Sequence, residues 1–263
     1  MFPLIGGKFP VYGLTLLFGI AISLYVFRIY AKRQFSDFET VFDFALITLL
    51  AGLAGARILH VAVSGGRYFS NPLNIFKVND GGFTFLGGVI GAFIVIFIIR
   101  KKISIYRFAD LCAIGVSIAH FFGRLGCNFA GCCWGKKTSC EACGLKFNQF
   151  SAVEEYYRAS GLETGLFRYP SQLIEATFVF LIFVFLIFRN VRKKFDGELL
   201  IIYLIIYGFG RILIEIIRGD PGRGVLIELK TVDMGVVGIY TSQIIGFAMI
   251  TAGFFLFNKI RKP

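Results

Sequence analysis

The chain has 263 residues, of which 56% are hydrophobic and only 17% charged, with 32 phenylalanines and a mean hydropathy of +0.73. This is too apolar for a soluble domain of that length and indicates an integral membrane protein. The formal charge of +12 invites a nucleic-acid reading, but the placement of the basic residues argues for membrane topology instead.

Seven apolar stretches are each long enough to cross a hydrocarbon core of roughly 30 Å at about 1.5 Å per residue. They lie at 11 to 27, 40 to 62, 83 to 99, 108 to 130, 171 to 188, 198 to 217 and 236 to 258. The fold class that follows is an all-α polytopic membrane protein of about seven transmembrane helices, forming one integral domain over 1–263. The first stretch follows MFPLIGGKFP, with one lysine and no A-x-A-like cleavage site, and is read as a retained span that carries Tyr12 near its start. The second holds Arg57, with His60 near its end, and the third opens on GGFTFLGGVIGA, whose glycine pairs allow close helix approach.

The fourth span ends in HFFGRLGCNFAGCCWG, from His120 to Gly135, where His120, Arg124 and Asn128 recur at helical spacing with Cys127 beside them. An imidazole there serves either as a general base or as a donor to a neighbouring helix. The polar segment 131–170 follows, read as a loop or small cap, and contains CCWGKKTSCEAC. Cys140 and Cys143 form a disulfide or, with Cys132 and Cys133, a metal site. The spacing does not match the paired C-x-x-C of a zinc ribbon, so loop stabilisation is favoured and no metal is expected. In the sixth span, YGFGRILIEIIR places Tyr207, Arg211, Glu215 and Arg218 on one stripe, with Glu215 one turn from Arg211.

Segments 28 to 39, 100 to 107, 189 to 197 and 259 to 263 hold 14 of the 28 Lys and Arg residues in 34 positions, against 11 in 88 positions on the other side. By the positive-inside rule the dense side is cytoplasmic, which puts the N-terminus outside, the C-terminus inside and segment 131–170 outside. Three arginines remain within spans, Arg57, Arg124 and Arg211, each five or six residues from an outer end. All three then lie roughly 8 to 9 Å below the outer boundary. An intramembrane arginine costs at least about 2.5 kcal/mol, so a layer of three implies a task, and a planar fork at that depth suits the phosphate of a phospholipid. No P-loop and no HExxH motif is present, which argues against a nucleotide-driven pump, and no cofactor is expected.

Taken together, VYGLTLLFG, GARI, GGFTFLGGVIGA, GRLGCNFAGCCWG, YPSQLIEA, YGFGRILIEIIR and TSQIIG resemble, in order along most of the chain, the bacterial prolipoprotein diacylglyceryl transferase family. The resemblance implies transfer of a diacylglyceryl group from phosphatidylglycerol to the lipobox cysteine of preprolipoproteins, with a thioether formed and glycerol phosphate released. It also implies a bacterial plasma (inner) membrane enzyme facing the outer leaflet, with phosphatidylglycerol, lipobox segments and membrane lipids as partners. Carried over by position, Arg124 and Arg211 match the family's arginines, Glu215 the carboxylate one turn on, and Tyr12 a tyrosine of the first span. The implied catalytic set is Arg124, Arg211, Glu215 and His120. The implied lipid-binding set is Arg124, Arg211, Tyr12, Arg57, Asn128, Gln172, Tyr207 and Arg218.

The chain departs from the family pattern at three places. The family's FHGG is Phe85, Leu86, Gly87 and Gly88 here, so Leu86 replaces the histidine. In the GR-x-GNF-x-NGE signature, Cys127 and Ala130 replace the asparagines and Cys132 the glutamate. This marks a divergent branch with a GCC signature, in which His120 stands as a replacement base and Asn128 as a replacement amide. Two other functions are compatible with the residues: a membrane thiol-disulfide oxidoreductase using the loop cysteines, and a non-catalytic phospholipid-binding or transport homologue that kept the arginines.

Overall fold

Hydropathy runs of this length in a lipid solvent admit one backbone solution, because each N–H and C=O has to be satisfied within its own segment. The computed structural model describes residues 4–5, 9–64, 68, 73, 75, 82–221, 225–230 and 236–261. Eight α-helices lie among them: α1 (Val11–Gln34), α2 (Phe38–Val63), α3 (Phe85–Ile99), α4 (Ile105–Ala130), α5 (Ala152–Ala159), α6 (Ser171–Val191), α7 (Glu198–Ile217) and α8 (Thr241–Ile260). Six of these, all but α3 and α5, are long and apolar enough to cross a membrane. Large apolar side chains such as Leu17, Leu50, Phe188 and Phe247 are exposed along them, as expected where lipid rather than water is the neighbour. The protein is a multi-pass membrane protein.

The structure differs from the sequence expectation at two spans. The third is only the 15 residues of α3, about 22 Å at 1.5 Å per residue, because Gly82 in the left-handed region (φ 86°) and extended Thr84 stand just before it. The seventh begins at Thr241 rather than 236, because Val236–Tyr240 (β4) pairs antiparallel with Val225–Lys230 (β3). These strands and a second ribbon, Leu4–Ile5 (β1) with Phe9–Pro10 (β2), are the β structure among the described residues.

The contacts group the chain into two compact units, one of Met1–Val26 with Cys112–Pro263 and one of Phe27–Leu111. In the second unit α2 packs along α3. Asp37 caps α2 by accepting from the Thr40 amide at 3.1 Å. The approach of the two helices needs the glycines read from the sequence, since a Cβ on Gly88 would meet the Gly52 carbonyl oxygen at 3.3 Å.

In the first unit α6 and α7 form an antiparallel hairpin. Its turn is closed by an ion pair from Arg189 to Glu198, and Glu198 also accepts from the Lys194 amide at 2.6 Å, where a carboxylate complements the start of α7. The buried stripe of α6 runs Gln172, Glu175, Ala176, Val179, Ile182 and Leu186, at the three- and four-residue spacing of one helix face. Helix α8 lies against α7, and a Cβ on Gly246 would sit 2.8 Å from the Gly208 carbonyl oxygen.

Segment 131–170 carries its own packing. Trp134, Phe147 and Val153 form a small core joined by Tyr157, over whose ring Arg168 sits at 3.9 Å. Single bridges join Gly135 to Arg218, and both Lys137 and Leu145 to Arg168. Cys140 and Cys143 form a disulfide that spans the 3₁₀ turn Glu141–Cys143.

Candidate active site

Helix spacing alone aligns His120 with Arg124 on α4, and Tyr207, Arg211 and Glu215 on α7. The structure brings these two stripes together on a third residue, Glu175 of α6. Arg124 Nη2 lies 2.9 Å from Glu175 Oε1, Arg211 Nη1 3.6 Å from Oε2, and the Tyr207 hydroxyl donates to Oε1 at 3.0 Å. Glu175 is 1% exposed, so this carboxylate depends on the donors around it.

The second carboxylate, Glu215, accepts from Arg211 Nη2 at 3.0 Å and from the Ser242 hydroxyl of α8 at 2.5 Å. The cluster therefore holds two guanidiniums and two carboxylates, drawn from α4, α6 and α7 and fastened by α8. Arg124 Nε donates to His120 Nε2 at 3.3 Å. The same Nε2 stands 3.5 Å from Glu175 Oε1, so it meets a guanidinium donor on one side and a carboxylate acceptor on the other. The His120 ring meets Tyr207 edge-on at 5.1 Å, and Tyr207 stacks on Tyr203.

The remaining sequence candidates are placed as follows. Arg218 ends α7 with its fork on Asp220, at 2.9 and 2.7 Å. Burial works against its charge, but Asp220 outweighs burial and holds the guanidinium more firmly protonated than in water. Gln172 donates to the Cys132 carbonyl at 2.7 Å, which makes it a strut for the loop after α4. Ser171 does the same for the Cys133 carbonyl at 2.8 Å. Asn128 is buried on α4. Tyr12 of α1 packs on the same helix, where a Cβ on Gly126 would come within 3.1 Å of its ring.

Arg57 belongs to the other unit, where its Nε and Nη1 donate to the carbonyls of Ile75 and Gly82, both at 2.9 Å, with Tyr68 and Phe83 against its guanidinium. Leu86, at the position of the family histidine, is 59% exposed on α3 of that unit.

Glu175 was not among the sequence candidates, nor were Ser242 and Asp220. The signal for Glu175 was present, since a glutamate in the apolar run after YPSQ demands a partner as much as an arginine does. Three polar atoms of these residues are buried without a hydrogen-bond partner among the described residues: Arg211 Nη1, Asn128 Oδ1 and Gln172 Oε1. The first is a donor on an arginine, available to an acceptor such as a phosphate oxygen.

Beyond α4, Cys127, Cys132 and Cys133 place their three sulfurs within 4.8 Å of one another. Cys133 sits in the left-handed region at φ 58°, unusual for a side chain with a Cβ. Hydrogen bonds from Cys127 and Cys132, with the fields of Arg124 and Arg218, hold the Cys133 thiol well below its ordinary range.

The family pattern described as prolipoprotein diacylglyceryl transferase matches residues 1–258. The phosphatidylglycerol–prolipoprotein diacylglyceryl transferase of Clostridium tetani is similar, at 30% identity over 98% of this chain and 96% of its own. A second protein of that name, numbered 2, from Clostridium perfringens is 28% identical over 96% of this chain and 91% of its own. The Streptococcus suis enzyme of the same name is 32% identical over 80% of this chain and 76% of its own. The similarity thus runs through every helix that supplies the charged cluster, and the chain belongs to the prolipoprotein diacylglyceryl transferase family.

Proposed function

We propose that this protein transfers the diacylglyceryl group of phosphatidylglycerol to the lipobox cysteine thiol of preprolipoproteins, at the outer leaflet of the bacterial inner membrane. The observation that carries the reading is the convergence of Arg124 and Arg211 on buried Glu175, with no hydrogen-bond partner for Arg211 Nη1 among the described residues. An anionic phosphodiester gains from two arginines already fixed in orientation, because the cost of ordering them is met by the fold.

In this reading Glu175 and Glu215 are positioning residues, and Arg124 and Arg211 neutralise charge as it builds on the departing phosphate. The acceptor thiol gives its proton to solvent, and its sulfur attacks the glycerol carbon that bears the phosphate. The S–C bond forms, the C–O bond breaks, and the electron pair leaves on glycerol phosphate. Tyr12, Asn128 and Tyr207 line the lipid approach, and segment 131–170 forms a cap where the peptide arrives. The relatives' names favour this activity over the oxidoreductase and the non-catalytic homologue.

The test is purified protein with labelled phosphatidylglycerol and a lipobox peptide. The parent is expected to form thioether-linked diacylglycerol, and Arg124→Ala to lose about 10² to 10³ in kcat/KM, the scale of removing a preorganised charge donor. Equal rates for parent and Arg124→Ala would overturn the phosphate assignment.

A further inference from the structure

Cys127 and Cys132 stand where the family signature carries an asparagine and a glutamate, and Cys133 follows directly, so this branch has gathered sulfur at the end of its signature. Their sulfurs lie within 4.8 Å of one another. Three thiolates on one zinc ion, at about 2.3 Å each, would stand about 3.8 Å apart, so an inward movement of about 1 Å or less per pair completes the site. The ligand backbone is already braced. Cys127 is buried on the last turn of α4, and the Cys132 amide donates to the Cys127 carbonyl at 3.1 Å. Gln172 and Ser171, at the start of α6, hold the carbonyls of Cys132 and Cys133. Arg124 and Arg218 act electrostatically on Cys133 and offset the charge that three thiolates bring.

Three protein ligands and an open fourth position form the arrangement of a zinc site that works on a bound group, whereas a purely structural zinc is closed by four. The group that needs activating here is the acceptor thiol, and a thiol coordinated to zinc is deprotonated outright. We propose that Cys127, Cys132 and Cys133 bind one Zn²⁺ whose fourth position takes the sulfur of the acceptor cysteine. This rests on the transferase reading and gives the acceptor thiol an activating group. On coordination the acceptor S–H gives its proton to solvent. The resulting thiolate sulfur attacks the glycerol carbon, and the C–O electron pair departs on the phosphate held by Arg124 and Arg211.

The experiment uses the full-length protein in lipid nanodiscs. Protein isolated without reductant is first assayed for free thiols; four (Cys112, Cys127, Cys132 and Cys133) are expected, and a disulfide within the cluster would overturn the proposal. Co²⁺ is then titrated in as a spectroscopic stand-in for Zn²⁺. The expected result is one Co²⁺ per chain with sulfur-to-cobalt charge-transfer absorption, displaced stoichiometrically by Zn²⁺. Cys132→Ser and Cys133→Ser are expected to weaken binding at least ten-fold, Cys132→His to restore it in part, and Gln172→Ala to weaken it about 10- to 100-fold. Cys112→Ser, about 22 Å away along α4, is expected to change nothing.

Adding a lipobox peptide is expected to shift the cobalt spectrum, and the same peptide with serine for cysteine is not. An unchanged spectrum with either peptide overturns acceptor coordination, and absence of the charge-transfer band overturns the metal site itself. Thioether formation is measured in parallel with and without Zn²⁺. Product without any metal, at the Zn²⁺-loaded rate, overturns this proposal and leaves the transferase reading standing. No product under either condition, with the cobalt band intact, overturns the transferase reading instead.

Discussion

Glu175 is the residue on which the charged cluster turns. It pairs electrostatically with two arginines and accepts from a tyrosine, all from two other helices, and it competes with any phosphate for the same guanidiniums. Removing its charge should therefore split the kinetic constants. Glu175→Gln is expected to leave KM for phosphatidylglycerol unchanged or lower, because the arginines no longer spend donors on a carboxylate. Its kcat is expected to fall about 10²-fold, because the arginines lose their fixed geometry. A rise in KM with unchanged kcat would assign Glu175 to lipid binding alone.

The arginines of the cluster were legible from the sequence because each is costly by itself in an apolar run, and Glu215 because it sits one turn from Arg211. Glu175 escaped because its partners are supplied by other helices, and nothing within SQLIEA specifies which neighbour it meets. The same holds for Ser242, whose hydroxyl reaches Glu215 from α8. Gln172 was legible as polar, but its hydrogen bond to the Cys132 carbonyl was not, since a donor to a loop carbonyl and a donor to a lipid carry the same letter.

At the scale of elements, the α7 and α8 pair carries the second carboxylate's support. The two helices approach backbone to backbone at Gly208 and Gly246, and a larger side chain at either position pushes them apart. Gly246→Val is expected to cost about 1 to 3 kcal/mol, the usual range for overpacking, read as a lower midpoint of thermal unfolding in detergent. Activity is expected to fall with it at temperatures where the protein is still folded, because Ser242 then withdraws from Glu215. Retained activity below the unfolding transition would show that the Ser242 contact is dispensable.

Periodicity and hydropathy marked the long helices to within a few residues at most ends, since lipid allows no other structure over twenty apolar residues. The third span starts two residues later than that reading and the seventh five residues later, each for a local reason. Gly82 and the strand Val236–Tyr240 are set by local backbone geometry and strand pairing, and an apolar tally does not distinguish an apolar strand from the first turn of a helix.

For the whole molecule, the proposed orientation has a direct check. The basic loops that follow α1, α3 and α6 face the cytoplasm in this reading, and segment 131–170 faces outward. In a variant whose free cysteines are first blocked or replaced, a cysteine at exposed Ser160 is expected to react with a membrane-impermeant maleimide on intact cells. One at exposed Lys101 is expected to react only after lysis. The opposite pattern would reverse the topology and remove the outer-leaflet site.

The order in which the charged residues leave the ribosome has a consequence for biogenesis. Arg124 enters the membrane with α4, but the carboxylate that neutralises it belongs to α6, beyond the whole of segment 131–170. At about 5 to 20 residues per second, α4 waits roughly 2 to 10 s with an unneutralised arginine. A nascent chain halted inside segment 131–170 therefore exposes a helix that the bilayer does not hold well, and quality-control proteases should clear such fragments faster than chains that have passed Glu175.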